Sequence, residues 1–436
     1  MPFPQVRRRT SCRVKYVLTS LASSFASLGF QVSSQTLEFV PDKDSELLTT
    51  VPANAAVFVL RGETGSEPYV GKSLNLRRRL QRLLGAPERQ SRKLNLRDRV
   101  RQVEWWATGS DFEASLLLYK TLRREFPSTY SDRLRLRFAP LVKLILDNPY
   151  PRATVTTRIG GRTSGVEYFG PFLTRVAAEK FANDSLDFFK MRRCTDDLSP
   201  DPAFPGCIYS EMKMCLAPCF KGCTDEEYVA EVGRVREYFE SGGQSLVREI
   251  EKMRDEASTK LDFEGAAALH ARLDKVRAAT AQLPEIVRRL DELNGLMIQP
   301  SAEKDSVALF KIAAGWISDP MRLIVASKSE AASAAADRTK PQSMEARISE
   351  ALAGIEPLKL HGVLEWMEHL ALLKRWYYRT MKVGELFLTD KAGELPMRRV
   401  VRGVSRVFKG EQPAGDLSET AGDYWRFRAM EGGVKP

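Results

Sequence analysis

Five of the six cysteines of this chain fall within thirty residues, at Cys194, Cys207, Cys215, Cys219 and Cys223. The first four are separated by twelve, seven and three residues. Four thiolates suit either tetrahedral zinc or an iron–sulfur cluster, and spacing alone does not choose between them. Cys223 is a spare donor, and the distant Cys12 reads as a free thiol. So tight a cluster in a long chain is not a disulfide framework. Gly206, Pro218 and Gly222 make the region rich in loops and short of other core. A second group of chemistry-bearing residues lies in "PYVGKSLNLRRRL", Pro68–Leu80, where Tyr69 and Lys72 precede Arg77, Arg78 and Arg79, with Arg82 a turn further on. Cations grouped in this way suit the backbone of a polyanion, because phosphate contacts give affinity without sequence preference.

The elements that position these groups follow from periodicity. "AAVFVL" is a short β-rich run, "RGETGSEP" supplies turn residues, and Tyr69 and Val70 begin a return strand. After Asn75, Leu76, Leu80, Leu83 and Leu84 recur at helical spacing while the arginines take the other face. "QVEWWAT" reads as a third strand, and "DFEASLLLYKTLRREF" as a helix that stops before Pro127. Further on, "APLVKLIL", "PRATVTTRI" and "GVEYFGPF" read as strands and "RVAAEKFANDSLDFFKM" as a helix. Leu246, Ile250, Met253 and Ala257, then Ala266, Leu269, Leu273 and Val276, lay an apolar stripe along a two-helix hairpin. "SVALFKIAAGWI" and "MRLIVAS" read as strands, "KSEAASAAADRTKPQS" as a linker, and "HGVLEWMEHLALLKRWYYRTM" as a long helix.

Net charge is +11, and its distribution tells more than its sum. Between Arg61 and Val103 twelve Lys and Arg face four Asp and Glu, a local excess of +8. A segment so charged attracts an anionic polymer through counterion release. No stretch approaches the roughly 18 apolar residues that a membrane span needs. The first thirty residues, basic and then diluted by serines, read as a cytoplasmic leader or a weakly amphipathic helix.

The Tyr-Val-Gly-Lys stretch leading into a basic helix resembles the second half of the GIY-YIG nuclease motif as it occurs in the UvrC family of bacterial excinuclease subunits. "LVKLILDNPYPRATVTTRI" with "YFGPF", the cysteine block, and "SLVREIEKMRDEASTKLDFEGAAALHARLDKV", which looks like the UVR hairpin, are similar to successive parts of that family over about residues 50 to 280. The order of parts also resembles the shorter Cho relatives. The resemblance implies an α+β multidomain chain. It divides into a basic leader at 1–50, a GIY-YIG domain at 51–131 with a three-stranded antiparallel sheet and flanking helices, and a cysteine-clustered middle at 132–240. A UVR helical hairpin at 244–281 and a mixed α/β C-terminal region at 285–436 follow, without a helix-hairpin-helix pair.

In this family a tyrosine activates water, an arginine steadies the scissile phosphate and a glutamate holds Mg²⁺ or Mn²⁺. The resemblance places Tyr69, Lys72 and Arg79 at three catalytic positions, and Lys72, Arg77, Arg78, Arg79 and Arg82 against DNA. Other positions depart from the family. Phe58 stands where the first motif has tyrosine, Leu83 where a further tyrosine belongs, and Leu118 where the metal-binding glutamate belongs. The place of a late asparagine falls near Tyr130. Leucine cannot ligate a hard cation. Glu113, five residues earlier and about 140° around the helix, faces elsewhere.

The resemblance therefore implies a protein of nucleotide excision repair and the SOS response that binds damaged duplex DNA, with incision weak or lost. It favours a [4Fe-4S] cluster on Cys194, Cys207, Cys215 and Cys219, with zinc the alternative. It also implies docking to a UvrB-type partner through Ile250, Met253, Phe263 and Leu269. An active endonuclease making one incision near a lesion, and a non-catalytic subunit competing for that partner, are the other readings.

Overall fold

The computed structural model describes residues 34–43, 48–86, 94–160, 165–325, 342–355 and 362–411. Cys12, most of the leader and nearly all of the alanine-rich linker lie outside them. The chain divides into two compact units, residues 1–130 and 131–436.

In the first unit, β1 (Gln35–Glu38), β2 (Ala56–Arg61), β3 (Tyr69–Ser73) and β4 (Gln102–Ala107) form one antiparallel sheet in the order β1-β4-β2-β3. Three of these strands match the expected sheet. β1 is an addition, because the leader expected to end at residue 50 supplies a strand paired along β4, and Phe39, Leu48 and Val51 enter the core. Central β2 is buried on both faces, and its period of two divides two cores. Phe58 and Leu60 pack with Leu76, Leu80, Leu83 and Leu84 of α1 (Leu76–Leu84) and with Trp105. On the opposite face, Val57 and Val59 pack with Trp106 and with Ala114 and Leu117 of α2 (Asp111–Glu125).

Each helix starts at a side-chain cap, which satisfies an otherwise orphaned N–H. Asn75 accepts from Arg78 N, and Ser110 accepts from Glu113 N. Arg61, at the end of β2, donates to Glu125 and Glu104 and ties the C-terminal end of α2 to the sheet. A short helix, α3 (Tyr130–Leu134), follows in sequence.

The second unit begins with β5 (Leu141–Ile145), β6 (Arg152–Thr156) and β7 (Val166–Gly170), followed by α4 (Arg175–Leu186). The cysteine region comes next, with only the short α5 (Ile208–Glu211) as regular helix, and then α6 (Asp225–Glu240). The hairpin is α7 (Gln244–Thr259) and α8 (Phe263–Ala281), its second helix capped by Asp262. After it, β8 (Arg288–Arg289) completes a sheet in the order β6-β5-β7-β8.

The remainder is the expected mixed α/β region. β9 (Gly295–Pro300), β10 (Ser306–Ala313), β11 (Trp316–Ile317), β12 (Met321–Ile324) and β13 (Glu385–Leu388) make a five-stranded antiparallel sheet. It is accompanied by α9 (Met344–Ala353), α10 (Val363–Tyr377) and α11 (Met397–Lys409). Val400, Val404 and Val407 of α11 pack with Leu296, Ile298 and Phe387 of the sheet.

One residue of the hairpin departs from its expected place. Leu246, Val247, Ile250, Leu273 and Val276 are buried at its base, whereas no residue from Glu251 to Arg272 is buried. Ile250, expected to face a partner, is 1% exposed and belongs to the core of this chain. An apolar stripe marks a buried face without saying which molecule buries it. Met253 and Phe263 are exposed, and Leu269 is half-buried.

Candidate nucleic-acid interface and thiol cluster

β3 is an edge strand, and its alternation divides the candidate residues between two faces. On the α1 side, Arg79 Nη2 donates to the Tyr69 hydroxyl at 2.9 Å, and the Tyr69 ring lies 6.1 Å from that of Phe58. Gly71 permits this stacking, since a Cβ there would stand 3.1 Å from the Phe58 ring. Phe58 is fully buried, so the position that differs from the family motif serves here as core. Arg79 has no carboxylate partner among the described residues, and its Nε is buried without an acceptor. A guanidinium in this state has donors to spare for an anion.

On the α2 side, Lys72 Nζ donates to Asp111 Oδ1 at 2.7 Å and to Ser115 Oγ at 2.9 Å. Asp111, Ser115 and Leu118 are spaced by four and three residues and therefore share one face of α2. Leu118 is partly buried against the cluster of Val57, Val59, Trp106, Ala114 and Leu117. The position is apolar and offers no oxygen donor. Tyr69 and Arg79 thus come together, and Lys72 faces a different set of groups. Asp111 and Ser115 were not singled out from sequence, although their helical spacing from Leu118 was the signal available.

Glu113 is buried, and its carboxylate accepts from Gly109 N at 2.6 Å as part of the cap of α2. Burial pushes its carboxyl up to about 7 against the pull of the Gly109 and Ser110 N–H groups. It serves the helix terminus and is not placed as a ligand beside Leu118.

The basic residues of α1 differ in role. Arg77 Nε donates to the Val51 carbonyl at 2.7 Å, which gives this side chain a structural bond. Arg78 and Arg82 are exposed. Tyr130 is buried beside Tyr119, with ring centroids 6.3 Å apart.

In the second unit, the thiols of Cys194, Cys207 and Cys219 all act electrostatically on Cys215. Its own thiol is pushed up to about 11, first by burial and then by these neighbours. The corresponding neighbours of Cys223 are Glu227, Asp225 and Cys219, so it stands at the margin of the group. Among the described residues, no three His, Cys, Asp or Glu side chains are arranged around a common point as metal ligands.

Arg192 is fully buried beside them. Its guanidinium donates to the carbonyls of Tyr150 and Asp196 at 2.9 and 2.8 Å and to Cys194 Sγ at 3.4 Å. It has no carboxylate partner among the described residues, and its Nη2 has no acceptor. Four thiols are donors of the kind that zinc and iron–sulfur clusters take.

Comparison with known proteins bears on both regions. Residues 54–130 match the family model described as the UvrC-like GIY-YIG domain, and residues 140–238 match the UvrC/Cho excinuclease middle domain. UvrABC system protein C of Carboxydothermus hydrogenoformans is 30% identical over 229 residues, covering 51% of this chain and 36% of that one. Its counterpart in Idiomarina loihiensis is 28% identical over 238 residues, covering 54% and 38%. That of Methanothermobacter thermautotrophicus is 28% identical over 237 residues, again covering 54% and 38%. The chain thus aligns with little more than a third of the length of these relatives. No solved structure matches it.

Proposed function

Since the chain is a UvrC-like protein with the nuclease-fold and middle domains of that family, we propose that it serves nucleotide excision repair as a subunit-C type protein that grips damaged DNA and incises it weakly or not at all. The observation that carries this reading is Leu118. Hydrolysis of a phosphodiester requires charge on the phosphoryl oxygens to be offset, and a divalent metal contributes several kcal/mol of that stabilisation. Where the family's glutamate would hold the metal, this chain has an aliphatic side chain packed among valines and tryptophan.

The remaining parts suit binding. Arg79, with unused donors, holds a phosphate oxygen. The Tyr69 hydroxyl, having accepted from Arg79, keeps its own O–H to donate. Arg78 and Arg82 lie exposed on the same helix to follow the backbone. Their contacts are ionic and independent of sequence.

A second reading is favoured by Asp111. It lies two turns from Leu118 on the same helix face, and its carboxylate is an oxygen donor of the kind a hard cation takes. If Lys72 yields it to Mg²⁺ or Mn²⁺, incision is retained. The metal would supply Lewis-acid stabilisation of the phosphate there, and Tyr69 and Arg79 would orient the reacting groups.

Incision of a lesion-bearing duplex, with a UvrB-type partner and either cation, separates the two. The first reading expects no cleavage by the wild type and binding weakened in Arg79→Ala. Cleavage that is lost in Tyr69→Phe and Asp111→Asn would establish the second.

The clustering of the cysteines in sequence supports a cofactor reading in which Cys194, Cys207, Cys215 and Cys219 hold a [4Fe-4S] cluster or zinc. Metal analysis after anaerobic purification distinguishes iron with broad visible absorption from colourless zinc. The exposed hairpin tip supports docking to a UvrB-type partner, with Phe263 as its anchor.

A further inference from the structure

Helix α11, Met397–Lys409, carries five cations and no carboxylate. Two of the cations are committed. Arg406 makes a bidentate pair with Glu385 at 2.7 and 2.6 Å, and Lys409 stands 3.9 Å from Glu411. The other three, Arg398, Arg399 and Arg402, are exposed and have no ion-pair or hydrogen-bond partner among the described residues. They occupy neighbouring turns of the face opposite Val400, Val404 and Val407, which are buried against the sheet.

This placement does nothing for the helix itself. Cations in a first turn oppose the helix dipole, and cations one turn apart repel each other by a few tenths of a kcal/mol. The first turn of α11 has no acidic residue to compensate and no side-chain cap. Helix stability is therefore not what these arginines provide, and their charge is left for an external anion.

We propose that Arg398, Arg399 and Arg402 form a second nucleic-acid surface that contacts the phosphate backbone independently of the arginines of α1. A row of phosphates is the complementary partner for several reasons. Three guanidiniums over five residues span about 6 Å along the helix, roughly two phosphate steps of ~3.4 Å of axis on one strand. Arginine also pairs with phosphate through two parallel hydrogen bonds. An anionic membrane would call for apolar side chains beside the cations. The one exposed large hydrophobic of α11, Phe408, lies six residues beyond Arg402, and none lies between Arg398 and Arg402.

The proposal rests on the DNA-binding reading above, and one experiment tells their failures apart. Binding of a labelled duplex to the full chain is measured across a salt series for the wild type and for R398Q/R399Q/R402Q. Glutamine keeps helix propensity at exposed positions, and far-UV circular dichroism checks the fold. The expected result is at least tenfold weaker binding at moderate salt, with the salt slope shallower by about 2 to 3 for three lost phosphate contacts. Parallel changes at Arg78 and Arg82 should add to this loss.

Wild-type affinity and slope in the triple variant overturn the second surface and leave the first untouched. Failure of the wild type to bind any duplex overturns both. Equal binding of wild type and triple variant to DNA, with the variant alone losing phosphatidylserine vesicles or a poly-glutamate peptide, assigns the arginines to another anion and overturns the proposal.

Discussion

Arg79 donates a 2.9 Å hydrogen bond to the hydroxyl of Tyr69, joining α1 to the edge strand in front of it. Two arginines within one turn of the basic helix thus differ in their bonds, because Arg77 Nε donates to the Val51 carbonyl whereas Arg79 donates to the Tyr69 hydroxyl and keeps a buried Nε without an acceptor.

Arg79→Gln should weaken duplex binding about tenfold, while loss of its bond to Tyr69 lowers stability by no more than about 1 kcal/mol. Arg77→Gln should lower stability by about 1 kcal/mol with little effect on affinity. Fluorescence anisotropy and urea unfolding of the same two variants read both quantities. Equal loss of affinity in the two would refute the division of labour.

Leu118→Glu should introduce Mg²⁺- or Mn²⁺-dependent incision where the wild type shows little, because it returns an oxygen donor to the helix face shared with Asp111. Replacing the apolar side chain should lower stability by about 1 to 3 kcal/mol. A gel assay of lesion-bearing duplex across metal concentrations is the check. Wild-type cleavage at the variant's level would show that the carboxylate was not missing.

Glu113 gives the first unit a pH dependence. Its carboxyl titrates at about 7 in the fold, against 4.5 as the ordinary value. Between these values the folded state keeps a proton that the unfolded chain has released. Its favourable contribution is therefore complete below about 4.5 and is lost as pH rises through 7. The loss amounts to about 3 kcal/mol at ~1.4 kcal/mol per pKa unit. Hydrogen exchange of the α2 and β4 amides, corrected for intrinsic rates, should show less protection at pH 8 than at pH 5. Glu113→Gln should flatten that difference, since the amide still accepts from Gly109.

Ile250→Ala should destabilise the second unit by about 2 to 4 kcal/mol, the usual result of emptying a buried aliphatic site. Phe263→Ala, at 68% exposure, should change stability by less than about 0.5 kcal/mol. The same Phe263 variant should weaken capture by a UvrB-type partner. Undiminished capture would remove Phe263 from the docking surface.

Much of the first unit was legible in the sequence. β2, β3 and β4 carry β-rich apolar runs, and the leucines of α1 repeat at helical spacing. β1 was not legible, because "QTLE" is short and polar and is defined by its pairing with β4 more than sixty residues away. Similarly, the basic run announced an anion-facing surface but could not say that Arg77 is occupied by Val51, or that Lys72 meets Asp111 and Ser115 across 39 and 43 residues. The stripe on the hairpin is apolar, as its spacing predicts, and its need for a cover is met at Ile250 by this chain's own core. Periodicity gives a face, and only tertiary structure tells what covers it.

The hairpin is held at one end only. From Glu251 round to Arg272 nothing is buried, so about ten residues of each helix, roughly 15 Å at 1.5 Å per residue, project beyond the anchored base. Mechanically this is a cantilever, fixed by its root and loaded at its tip. Substitutions along the projecting part are transmitted weakly to the body of the protein, which leaves that part free to diverge with whatever it meets while the root stays constrained by its own core.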